Sequence, residues 1–166
     1  AGSFYSLVVI VIVGLMGALS VLVSKEDGAK QPRRAGHYLR QSLLLSVVVT
    51  LMLATGLVFA EHFLLAIGQL PGPSAIAAEY LNAMIWTVPA QLTFLSIRNF
   101  CEGTGDSMPS VIIAAVIALL NIPLDYALIF GYGPFPALGV KGAGYATASL
   151  TWLSVVALVA YVATRP

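Results

Sequence analysis

Asn121 and Asp125 stand four residues apart in the run SVIIAAVIALLNIPLDYALIF, in which Asp125 is the only charged residue. On a helix that spacing leaves them about 40° apart, on one face. Ala114 and Ala118 continue the same face and leave room beside it. Pro123, between the polar pair, leaves the carbonyl of Leu119 without its usual donor. A broken ladder at membrane depth is tolerated where it faces protein or a cavity. An ionised carboxylate there costs several kcal/mol (on the order of 2–4) unless it is hydrated or paired. The chemistry open to the pair is binding of a proton or a cationic ligand at Asp125, with Asn121 as an uncharged hydrogen-bonding neighbour. A structural hydrogen-bonded pair, or an Asp125 reaching the outer interface, is the competing reading. Gln91 is a third candidate, deep in an earlier apolar run, where an interhelical hydrogen bond explains it as well as a ligand does.

The elements that position these groups are apolar helices. Of 166 residues, 59% are hydrophobic and 9% charged, with mean hydropathy +0.93. Soluble domains carry roughly 25% charged residues, so the composition is that of a membrane protein. Uncharged or nearly uncharged runs predict five spans, at about 4–23, 41–60, 80–97, 108–130 and 143–163. Gly14 and Ala18 give the first a small-residue face. Ser42, Ser46 and Thr50 form a thin polar stripe on the second, read as packing residues that bond their own backbone. Pro89 predicts a kink in the third, and Pro123 one in the fourth. Residues 25–40 and 98–107 read as loops, with Asp106 or Ser107 capping the helix that follows and Pro109 in its first turn.

Charge placement predicts sidedness. Lys25, Lys30, Arg33, Arg34, Arg40, Arg98 and Arg165 fall on one side of the five spans, and Lys141 alone on the other. The first side is therefore expected to be cytoplasmic. The run of basic residues at 25–40 serves as that topology signal, with contact to anionic lipid as the alternative. Ala1 would then lie outside without a signal peptide before it, so one helix is expected upstream of a chain cut from a longer protein.

Other site chemistries fit poorly. Glu61, His62 and Glu79 fall at the outer boundary, and His62 has no second His or Cys close by for a metal. Cys101 is the only cysteine and reads as an inert thiol. GTGD at 103–106 matches the pattern of intramembrane aspartyl proteases, but Asp106 and Asp125, 19 residues apart, would lie roughly 28 Å apart along a helix. They cannot form a dyad, and no catalytic residue is assigned.

Three linked motifs carry a family resemblance. GTGDSMP (Gly103 to Pro109), NIPLDY (Asn121 to Tyr126) and GPFPALGVKGAGYAT (Gly133 through Thr147) together resemble the multidrug and toxic compound extrusion (MATE) transporters of the NorM-like kind. The KEDGAKQPRR loop and the VPAQLTFLSIRNF helix also fit. The resemblance implies an all-α membrane protein, with five transmembrane helices equivalent to helices two to six of the first six-helix lobe of a twelve-helix fold. It implies secondary active efflux of cationic or amphipathic compounds by antiport with H⁺ or Na⁺, and no enzyme activity. Asn121 and Asp125 resemble polar positions lining the first-lobe cavity. The implied partners are the lipid bilayer of a bacterial-type inner membrane, a small-molecule substrate, and the first helix and second lobe of the same transporter. No cofactor and no nucleic acid is implied. The alternatives are a lipid-linked oligosaccharide flippase of the related superfamily, which would be expected to carry more cationic residues in its spans, and a non-transporting membrane scaffold.

Overall fold

Helix ends in this chain are set by backbone amides that fold back on the last carbonyls. In the computed structural model, which describes residues 2–59, 72, 80, 82–83, 85–133 and 135–164, five helices follow one another. They are α1 (Gly2–Gly28), α2 (Pro32–Val58), α3 (Thr87–Gly103), α4 (Met108–Phe130) and α5 (Val140–Thr164). Among these, α2, α4 and α5 are each long and apolar enough to cross a bilayer. No strand occurs among the described residues.

The segment 25–40, expected as a loop, is helical on both sides of a turn of three residues, 29–31. Lys30 takes the left-handed conformation (φ 54°), its amide bonding Asp27 and that of Gln31 bonding Glu26. These two bonds close a Schellman motif on α1. Gln31 then accepts from the amides of Arg34 and Ala35, and Pro32 opens α2 at a position where its missing N–H costs nothing. The left-handed residue that ends α1 is thus Lys30, two positions beyond Gly28. Lys, Arg, Gln and Leu are good helix formers, so charge alone does not unwind this stretch.

The expected 98–107 loop is also shorter. Residues 98–103 belong to α3, where Arg98 pairs with Glu102 at 2.7 Å. Within GTGD, Gly105 (φ 78°) holds the left-handed position, and the amide of Asp106 bonds Cys101. Ser107 is the N-cap residue of α4 by position but makes no side-chain cap bond. Instead, Asp106 accepts a hydrogen bond from Tyr161 near the end of α5. At the other end of the third predicted span, Ile85 and Trp86 form a turn, and Pro89 is the third residue of α3. Helix α4 runs through Pro123 and ends at Gly131 (φ 75°). Its carbonyls at Leu128 and Ile129 are met by the amides of Leu138 and Gly139. Glu61, His62, Glu79 and Arg165 lie outside the described residues.

Helix α3 is the centre of the bundle, packing against α1, α2 and α5, while α4 packs on α5. Gly103 lets α3 approach α1 closely, since a Cβ there would stand 2.7 Å from that of Val23 and 2.8 Å from the carbonyl oxygen of Ser20. Gly142 does the same for α5 against the backbone of α4 at Leu128. Small residues at such contacts are what a bilayer demands, because helix association there rests on packing rather than on hydrophobic burial. Leu19, Val23 and Ala35 form one core patch with Tyr38 and Phe100. Ile97, Cys101 and Leu158 form a second.

Hydrogen bonds join α2 to α3 at depth. The buried hydroxyl of Ser42 donates to Ser96 at 2.8 Å, and Ser46 lies 3.0 Å from the same oxygen. Ser46 and Ser96 also donate to carbonyls four residues back. Asn99 donates from its amide to the carbonyl of Met16 on α1 at 2.8 Å. Of the stripe, Ser46 thus bonds its own backbone, while Ser42 turns its hydroxyl to a partner helix.

Candidate functional site

A cleft of about 310 Å³ opens between α3, α4 and α5. Helix α3 contributes Gln91 and Phe94 to its wall, and α4 contributes Ala114, Ile117, Ala118 and Asn121. From α5 come Thr147, Leu150, Thr151 and Ser154. The alanines leave the space and the polar side chains reach into it. Its size falls at the lower end of what small-molecule sites use.

Local helix geometry decides what the α5 hydroxyls offer. Thr147 donates to the carbonyl of Ala143, Thr151 to Thr147 and Ser154 to Thr151, at 3.0, 2.7 and 2.6 Å. With their protons turned to the backbone, the three oxygens keep acceptor lone pairs for the cleft. Gln91 and Asn121 add amide oxygens and N–H groups. Among the described residues, no charged one lines the cleft. Such a wall can accept hydrogen bonds from a ligand or share oxygens with a cation.

Of the residues singled out in the sequence, Gln91 and Asn121 meet here, 30 positions apart. Asp125, one turn further along α4, does not line the cleft. Its Oδ1 is buried without a hydrogen-bond partner among the described residues. Beyond it, the rings of Tyr126, Phe130 and Tyr132 cluster, with centroids 5.1 and 6.2 Å apart. Thr147, Thr151 and Ser154 were not singled out as site residues. Their spacing of four and then three, in TASLTWLS, places them on one helix face and is the signal that finds them. Trp152, on another face of α5, donates from its indole to the carbonyl of Trp86 and ties α5 to the start of α3.

Apolar helices joined by small residues and by buried hydroxyls, around a neutral polar cleft, define an integral membrane protein of the α-helical class. Comparison with known families narrows this. The MatE family model matches residues 1–127, and the chain belongs to that family. It is 32% identical over 160 residues, 96% of its length, to a probable multidrug resistance protein NorM of Idiomarina loihiensis. To the protein of the same description in Bradyrhizobium diazoefficiens it is 34% identical over 151 residues, 89% of its length. It spans about a third of each relative, 35% and 32%.

Proposed function

We propose that this chain is part of the amino-terminal lobe of a secondary active multidrug efflux transporter, equivalent to helices two to six of twelve. The observation that carries the reading is the neutral, acceptor-rich cleft between α3, α4 and α5. Family membership and the multidrug resistance names of both relatives support it. The substrates are cationic or amphipathic compounds, which suit a wall of hydroxyl and amide oxygens with aromatic and aliphatic neighbours. The energy comes from antiport of H⁺ or Na⁺. Gln91 and Asn121 contact the substrate or the cation, and Asp125, one turn along α4 from Asn121, supplies a carboxylate. The opposing wall belongs to the second lobe, and access alternates as the lobes move against each other. The protein resides in a bacterial inner membrane with the α1–α2 and α3–α4 turns in the cytoplasm.

The test is efflux of a fluorescent cationic dye from cells making the intact transporter. Asn121→Ala and Gln91→Ala are expected to slow efflux, and Asp125→Asn to slow it or to move its pH dependence, all at unchanged amounts of protein in the membrane. Wild-type efflux of several dyes across pH 6–8 by all three variants would overturn the assignment.

A further inference from the structure

One face of α2 changes character partway along its length. Arg33, His37 and Arg40 are exposed, and so are Leu44, Val47 and Leu51. At 100° per residue all six lie within about 80° of one another, on a single stripe. The stripe is basic for its first turns and apolar from Leu44 onward. From Arg40 to Leu51 it runs roughly 16 Å, close to the depth of one bilayer leaflet's hydrocarbon. The helical course of 32–40 creates this alignment; a loop would have scattered the charges.

Two further features lie beside the stripe. A groove of about 150 Å³ separates α1 from α2, with Tyr38 and Gln41 among its walls and Leu19, Leu22 and Leu45 opposite and below. Its polar rim adjoins the basic end, where Gln41 and His37 are hydrogen-bonded at 2.9 Å. The cations are also available. Glu26 is buried and faces Arg34 at 3.9 Å, whereas neither Arg33 nor Arg40 has an ion-pair partner among the described residues.

We propose that this face of α2, with the α1–α2 groove, is a binding site for an anionic phospholipid. The headgroup phosphate lies between Arg33 and Arg40, and one acyl chain follows Leu44 and the groove toward the bilayer centre. Arginine suits the role, since its guanidinium takes phosphate oxygens bidentately. The site does not depend on what the transporter exports, only on its seat in a bilayer.

The experiment is native mass spectrometry of the intact protein in neutral detergent, with phosphatidylglycerol and phosphatidylcholine of identical acyl chains. Preferential retention of phosphatidylglycerol is expected. Each arginine removed should weaken that preference about fivefold, so Arg33→Gln with Arg40→Gln should largely abolish it. Arg40→Lys should keep most of it. Lys141→Gln, at the opposite end of the bundle, should change nothing, and Leu45→Asn should lower retention of both lipids. Arg33, Arg40, Leu45 and Lys141 are all exposed, and a melting curve on each variant checks the fold. Equal retention of the two lipids overturns the proposal, as does a phosphatidylglycerol preference that survives the double arginine variant. Complete displacement by inorganic phosphate would also overturn it, because the acyl chain would then contribute nothing.

Discussion

Tyr161 donates from its phenol to Oδ2 of Asp106 at 2.6 Å, tying the end of α5 to the turn between α3 and α4. Because Gly103 on α3 already touches Val23 on α1, the ends of α1, α3 and α5 are gathered at one end of the bundle. A hydrogen bond to a carboxylate is stronger than one between neutral groups. Tyr161→Phe should therefore cost about 1–2 kcal/mol. Thermal unfolding in detergent checks it, and Asp106→Asn, which keeps an acceptor oxygen, should cost less.

The serine cluster gives a second test. Ser96 is fully buried and is the shared partner of Ser42 and Ser46. Ser96→Ala leaves the Ser42 hydroxyl with only the weakly accepting Met16 sulfur on a partner helix and should destabilise by about 1 kcal/mol, the range measured for such bonds in bilayers. A double-mutant cycle with Ser42→Ala should show coupling between the two positions. Additive losses would mean that each serine serves only its own helix.

Glycine substitutions should split by location. A Cβ at Gly142 would meet the backbone of Leu128, which cannot swing aside, so Gly142→Ala should destabilise by about 1–3 kcal/mol. Gly36, inside α2, has nothing within 4 Å of the added atom. There Gly36→Ala should stabilise by about 0.5–1 kcal/mol through helix propensity. Opposite signs in chemical or thermal unfolding are the expected outcome.

Sidedness is tested by labelling. With cysteine placed at Gly28 in the intact transporter, an impermeant thiol reagent should react only from the cytoplasmic side. Cysteine at Gly72 should react from outside. Cys101 is buried and should contribute little background. Reversal of either result would invert the orientation drawn from the charges.

The apolar runs made the helices legible, and the spacing of Asn121 against Ala114 and Ala118 made one wall of the cleft legible. The remainder depended on which helices are neighbours, and a single chain of letters does not state that. Ser42 and Ser46 stood out as a stripe, but their partner Ser96 lies 54 and 50 residues away and had no stripe of its own. Asn99 was hidden because the charge at Arg98 was read as the start of a turn. Along α5 the buried positions Gly142, Gly144, Ala146 and Ala148 fall every second residue, not on one helical face. That helix is packed on two sides, against α3 and α4, so its start carries no simple amphipathic period to read. The 25–40 segment was misjudged by charge, which says where water or headgroups are and leaves backbone conformation open.

Helix α3 is the central helix of the bundle and also, at 17 residues with Gln91, Arg98, Asn99 and Glu102, a poor candidate to enter a bilayer alone. Its buried groups Ser96 and Asn99 find their partners on α2 and α1. A ribosome makes α1 and α2 first. By the time α3 leaves the translocation channel, the two helices that satisfy its polar side chains are already in the membrane. For this helix the order of synthesis prepares the solvent, so a circular permutant that placed α3 ahead of α1 would have to insert it with those groups unmet.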